Sequence, residues 1–144
     1  MDGELFLDVE KTRYKEDGAG GLEKTGEPPS RAQWRCGVEV ELSLKSPERY
    51  FKQFWDLASR VYNSVDDRQH YHMILFFYST TTIHDRLAGH LRSNRYEFGK
   101  CAFGLVRLDE FLEKKGDAMA ERFIGTDSIQ IPMSEMSRIK VILR

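Results

Sequence analysis

The segment Gly37-Val38-Glu39-Val40-Glu41-Leu42-Ser43-Leu44-Lys45 decides how this chain is read. It alternates strictly, and a period of two with β-branched residues predicts a strand. Val38, Val40, Leu42 and Leu44 would share one face, and Glu39, Glu41, Ser43 and Lys45 the other. Same-face neighbours on a strand stand about 6.5–7 Å apart, so both acids can reach one divalent cation. The row is either a metal site or the solvated outer face of a half-buried sheet, where Glu and Lys pair readily.

The whole chain has 144 residues, 40% of them apolar and 31% charged, with a net charge of −1. That length predicts a single domain over 1–144 with a real core, and that composition a globular chain. A neutral total does not exclude nucleic acid, because a local basic patch can serve it. No apolar run is long enough to span a membrane, and the acidic start lacks the order of a signal peptide. Cys36 and Cys101 show neither CxxC nor ligand spacing, which reads as reduced thiols in a cytoplasmic protein.

Upstream of the opening segment, Glu4 to Lys11 alternates and predicts a first strand. Residues 12–33 then lose all periodicity around Asp17-Gly18, Gly20-Gly21 and Pro28-Pro29, the pattern of a long mobile loop. Trp34 to Leu44 forms the second strand of an antiparallel hairpin. With Lys11 set opposite Trp34, paired numbers sum to about 45 and Asp2 faces Ser43, although so long a loop does not fix register. This arrangement gathers Asp2, Glu41 and Lys45 at one end, with Glu39 one step inward.

Downstream, Ser46 is an N-cap, Pro47 suits the first helical position and Glu48 complements the dipole. Phe51, Phe54, Trp55, Ala58, Val61, Tyr62 and Val65 predict an apolar helical stripe ending at Asp66-Asp67. Met73 to Tyr78 is a continuous apolar run, the mark of a strand buried on both faces. A second helix follows Thr80 to about Asn94, with Ile83, Leu87 and Leu91 inward and Arg86, Arg92 and Arg95 outward. Cys101 to Leu108 predicts a strand and Asp109 to Leu112 a helical turn. Beyond residue 116 the pattern is weak, with a short helix at 118–124 and a last strand at 139–143. The expected fold is α/β, a mixed sheet flanked by helices and led by an N-terminal antiparallel hairpin.

Asp2-Gly3 heading one strand, Glu39 to Ser46 on the next, and a helix beginning Pro47-Glu48-Arg49-Tyr50 together resemble the PD-(D/E)XK nuclease superfamily. The likeness is greatest to the nuclease-like domain of replication-relaxation (plasmid mobilisation) proteins, and it covers about residues 1–112. The resemblance implies a restriction-endonuclease-like sheet and Mg²⁺- or Mn²⁺-dependent hydrolysis of DNA phosphodiesters. It assigns Asp2 to the metal-binding aspartate position and Glu39 to the first acid of the catalytic strand; with the acidic row, Asp2, Glu39 and Glu41 are the expected metal ligands and Glu39 and Lys45 the expected catalytic residues. Glu41 stands where the superfamily usually has lysine, and Lys45 is where a migrated lysine would stand. Met1 occupies the position of the proline expected in that turn. Sequence readout would then fall to a DNA-binding domain, a partner subunit or a homodimer. The alternative is a catalytically silent module of the same fold that binds DNA or protein in plasmid replication or mobilisation. A purely structural or regulatory α/β protein is a third reading.

Other residues fit this frame less directly. Arg86, Arg92 and Arg95, with Arg68 and Lys100 near them in sequence, form either a phosphate-contacting patch or a solvated helix face. Gln53 sits near a glutamine of some exonucleases in the superfamily, although a solvated helix face explains it as well. His70 and His72 lack a third ligand and read as surface or structural residues. Trp55, Phe76 and Phe77 read as core.

Overall fold

A computed structural model of the chain describes residues 2–58, 71–94, 103–124, 127–135 and 138–143. Its strands are β1 (Gly3–Glu16), β2 (Leu22–Lys24), β3 (Ser30–Glu41), β4 (Met73–Tyr78), β5 (Phe103–Arg107), β6 (Met119–Ile124), β7 (Asp127–Pro132) and β8 (Arg138–Leu143). Its helices are α1 (Pro47–Ala58), α2 (Thr81–Ser93) and α3 (Leu108–Lys114). The strands join one mixed sheet in the order β2-β1-β3-β4-β5-β6-β7, with β8 pairing parallel to β1. Strands β3, β4 and β5 run parallel. Each parallel step needs a long crossover, and the connections carrying α1 and α2 supply it. Strands β1 and β6 then add antiparallel beside this centre. The expected α/β architecture with an N-terminal antiparallel hairpin is therefore what forms. Among the described residues no helix is long and apolar enough to cross a membrane.

Two apolar clusters lie on opposite faces of the sheet. One joins Tyr50, Phe54, Leu57 and Ala58 of α1 to Ile83, Leu87, Ala88 and Leu91 of α2, over Ile74, Phe76 and Leu105. The other joins Cys36, Met73, Leu75, Phe77 and Val106 to Ala118, Ala120 and Met133. Strand β4 serves both clusters, which is why its sequence is a continuous apolar run rather than an alternation. Phe54 stacks on Phe76 with ring centroids 4.7 Å apart, locking α1 onto the sheet. Full burial of such a side chain contributes about 1.5–3 kcal/mol.

Several expectations need correction. The hairpin register is four residues earlier on β3 than expected, with Lys11 facing Ser30 rather than Trp34. The even shift keeps every side chain on its face but moves Asp2 from Ser43 to the neighbourhood of Glu39. Part of the expected loop 12–33 is strand, because β1 continues to Glu16, β2 pairs with it and β3 begins at Ser30. Pairing with β2 and β8 holds this non-alternating, charged stretch extended, which local pattern does not reveal.

Strand β3 stops at Glu41, so Leu42 and Leu44 are exposed and Lys45 belongs to the approach to α1. The buried stripe of α1 is Tyr50, Phe54, Leu57 and Ala58, while Phe51 and Trp55, expected in it, are half-exposed. Residues 118–124 are good helix formers, yet β6 is a strand because pairing with β5 and β7 overrides propensity. The predicted start of α2 holds, since Thr80 Oγ1 accepts from the Ile83 N–H. Phe76 and Phe77 are core, as expected. The expected helical stripe at Val61, Tyr62 and Val65, together with Arg68, His70, Arg95, Lys100 and Cys101, lies outside the described residues.

Candidate functional site

The odd-numbered face of β3 turns toward α1, which reverses the picture of a solvated acid row. Glu41 is only 2% exposed and Glu39 only 9%. Burying two carboxylates on one strand is costly unless each finds a partner. The structure gives them different ones.

Glu41 Oε1 accepts from Lys45 Nζ at 2.7 Å and from Gln53 Nε2 at 3.0 Å. Lys45 Nζ also reaches Gln53 Oε1 at 3.2 Å, closing a triangle of carboxylate, ammonium and amide. The Tyr50 ring lies 5.8 Å from the ammonium, and the Tyr50 hydroxyl accepts from the Lys45 backbone N–H. The end of β3 allows this, since Lys45 folds back over the strand's last residue as the chain turns into α1. Ser46 Oγ accepts from the Arg49 N–H and starts that helix, as its sequence predicted.

Glu39 meets Asp2. The Asp2 N–H donates to the Val38 carbonyl at 3.0 Å, and Asp2 Oδ2 accepts from the Val40 N–H at 2.8 Å. Asp2 thus straddles Glu39 and adds a side-chain rung to the β1–β3 ladder. Burial pushes the Glu39 carboxyl above its usual range, and the nearby Asp2 and Glu41 charges push in the same direction. Two neighbouring carboxylates on a sheet face can be bridged by a divalent cation.

Beside this pair opens a cleft of about 410 Å³ lined by Glu39, Lys45, Arg49, Lys52, Gln53, Asp56 and Leu57. It sits at the carboxyl end of β3 and runs along the length of α1, and the carboxyl ends of strands are where sheets with helical crossovers commonly bind ligands. Of the expected residues, Lys45 and Glu39 share the cleft wall, and Asp2 neighbours Glu39 without lining the cleft. Glu41, expected as a third ligand, is instead engaged by Lys45 and Gln53. Among the described residues no group of three His, Cys, Asp or Glu side chains is arranged to hold a metal ion. The Asp2–Glu39 pair still fits magnesium, which takes one or two carboxylates and completes its shell with water and substrate phosphate.

Two arginines of the expected basic patch make contacts within the fold. Arg92 pairs with Glu121 at 3.3 Å and lies over the Phe123 ring, and Arg86 donates to the Lys45 carbonyl at 3.4 Å. Both arginines therefore tie α2 to its neighbours. Gln53, readable as a solvated residue, is part of the Glu41 triangle. His72 is structural, accepting from the Arg35 N–H at 3.1 Å and stacking on Trp34. Cys36 is a free thiol that burial pushes up to about 11, so it is no nucleophile.

Sequence reasoning also missed a second polar cluster. His84 Nε2 lies 2.7 Å from Glu121 Oε2 and His84 Nδ1 lies 3.0 Å from Asp85 Oδ1, while Ser128 Oγ donates to Glu121 Oε1 at 2.9 Å. Only the pairing of β6 beside β5 brings Glu121 under α2, so no local signal marks it.

Fold and cleft define a mixed α/β protein with a buried Glu39 carboxyl, an exposed Asp2 beside it and the Lys45 ammonium on the same cleft wall. Comparison with protein-family models, with curated proteins and with solved structures found no match.

Proposed function

We propose that the chain is a restriction-endonuclease-like domain of the PD-(D/E)XK type that hydrolyses DNA phosphodiester bonds with Mg²⁺ or Mn²⁺, as a plasmid-mobilisation or replication-relaxation element would require. One observation carries the reading: the Glu39 carboxyl, with Asp2 bonded to the backbone on either side of it, lines a cleft that Lys45 also lines. Asp2 and Glu39 would hold the cation. When bound, it would polarise the scissile phosphate and lower the pKa of an attacking water.

The chain's own residues supply the rest. Glu41 and Gln53 fix the Lys45 ammonium at the cleft wall, where it donates to the attacking water or to the developing phosphorane charge. The water oxygen forms the new bond to phosphorus, and the bond to the leaving oxygen breaks. The water's proton passes to solvent and the leaving oxygen takes one back.

The test is nicking of supercoiled plasmid in Mn²⁺ by the wild-type chain beside Glu39→Ala and Lys45→Ala. Metal-dependent nicking lost in Glu39→Ala supports the reading, and nicking untouched by both substitutions sinks it. A second reading is a catalytically silent module of this fold that binds DNA or protein. It draws on Glu41, which occupies the usual lysine position and holds the Lys45 ammonium in an ion pair. No nicking, with salt-sensitive DNA binding, would favour that module.

A further inference from the structure

Arg49 and Lys52 stand one turn apart on the exposed side of α1, and both line the cleft that holds Glu39. Residues three apart on a helix are surface neighbours, so the two cations form one patch. Two features of their placement bear on what they do. First, neither side chain is in an ion pair with another described residue. Lys52 leaves Glu48 unpaired four residues earlier, although Glu preceding Lys by four is the favoured helical arrangement. Second, Arg49 sits in the first turn, where the positive end of the helix dipole disfavours a cation. A local rule broken without structural return points to function.

We infer that Arg49 and Lys52 hold the phosphodiester backbone of one DNA strand as it passes the Asp2–Glu39 pair. The inference rests on the proposed DNA-handling role and adds the residues that seat the strand. Glu39 and Asp56 are the acids of the same wall, so the cleft divides its charge. Glu39 and Asp2 face the place of a cation, while Arg49 and Lys52 face the polyanion. These are backbone contacts, which position a strand without reading its bases.

The experiment measures binding of fluorescent single-stranded and duplex oligonucleotides in EDTA, across a salt titration, so that metal chemistry plays no part. Wild type is compared with Arg49→Ala, Lys52→Ala, the double variant and Lys24→Ala, which removes an equal charge on the distant β2. Each cleft substitution is expected to lower the slope of log affinity against log salt by about 0.9 for duplex or about 0.7 for single strands. The arm with the larger loss identifies the form of DNA that is seated. Lys24→Ala is expected to leave the slope unchanged. A double variant with wild-type slope and affinity overturns the inference, as does a wild-type chain that binds neither oligonucleotide. Binding that depends on Arg49 and Lys52 without any metal-dependent nicking would uphold this inference while removing the catalytic reading.

Discussion

Lys45 Nζ stands 2.7 Å from Glu41 Oε1, an ion pair with one partner 2% exposed and the other 29%. It joins the last residue of β3 to the approach to α1, and Gln53 bonds to both. The pair therefore serves the fold as much as any chemistry. Removing one partner leaves the other's buried charge without its counter-ion.

Lys45→Met should therefore destabilise the chain by about 2–4 kcal/mol, toward the low side of broken buried pairs because Lys45 is partly exposed. Glu41→Gln paired with Lys45→Met should cost clearly less than the sum of the two single changes. Urea denaturation of the four proteins reads this coupling directly. Strict additivity would show that the contact contributes nothing.

The second polar cluster makes stability depend on pH. Burial is the largest single influence on His84 and pulls its pKa down, but hydrogen bonds to Glu121 and Asp85 leave it raised. Burial likewise pushes Glu121 up, and the bonds from His84 and Ser128 leave it lowered. Tyr78 packs against the imidazole from β4, and Arg92 faces Glu121 from α2.

The His84 contribution is full below the ordinary histidine value of about 6.5 and is lost as pH rises through the folded value. The Glu121 contribution is full above the ordinary glutamate value of about 4.3 and is lost as pH falls through the folded value. Wild type should thus lose stability on the alkaline side of this window. His84→Gln should remove that alkaline loss and cost about 1–3 kcal/mol within the window, since Glu121 keeps Arg92 and Ser128 but loses its shortest partner. Parallel pH profiles for the two proteins would refute the coupling.

Packing around β5 yields a third expectation. A Cβ added at Gly104 would stand 2.7 Å from Leu75 Cδ2 and 3.9 Å from both the Glu121 carbonyl and Met73 Sδ. Leu75 is fully buried and can swing only into its own cluster. Gly104→Ala should therefore destabilise by about 1–3 kcal/mol, despite alanine's better strand propensity. Thermal unfolding decides the sign, and a stabilised variant would mean that Leu75 repacks freely.

These sites also mark what the sequence made legible. The alternation of β3, the apolar run of β4 and the caps at Ser46 and Thr80 are local signals, and each placed its element. Register is not local. The stretch between β1 and β3 constrains the pairing too loosely, so Asp2 was expected beside Ser43 and is found bonded around Glu39. Burial of the acid face was illegible for a related reason. Alternation tells which residues share a face, but only α1 lying across Glu39 and Glu41 tells which face is covered. Glu121 takes its role from His84 and Arg92, distant in sequence, and nothing in its own segment distinguishes it from a solvated residue.

Glu39 gives the sharpest separation between a structural acid and a functional one. Its carboxyl is buried on a sheet face with Asp2 bonded to the backbone on either side of it and Glu41 nearby, and burial foremost raises its pKa. An acid raised in the folded state binds its proton more tightly there than in the unfolded chain. Its contribution to stability therefore falls as pH rises from the ordinary glutamate range through the folded value, and it stays low at neutral pH. Glu39→Gln keeps the shape and removes the charge, so this variant should unfold at higher urea than wild type at pH about 7 and match it near pH about 4. A residue kept at a cost to stability is expected where it serves function. The same substitution should abolish the stabilisation that millimolar Mn²⁺ gives the wild-type chain, because a ligand bound only by the folded state raises its stability. If Glu39→Gln is less stable than wild type at neutral pH and still responds to Mn²⁺, Glu39 is a structural carboxylate and the cation, if bound, lies elsewhere.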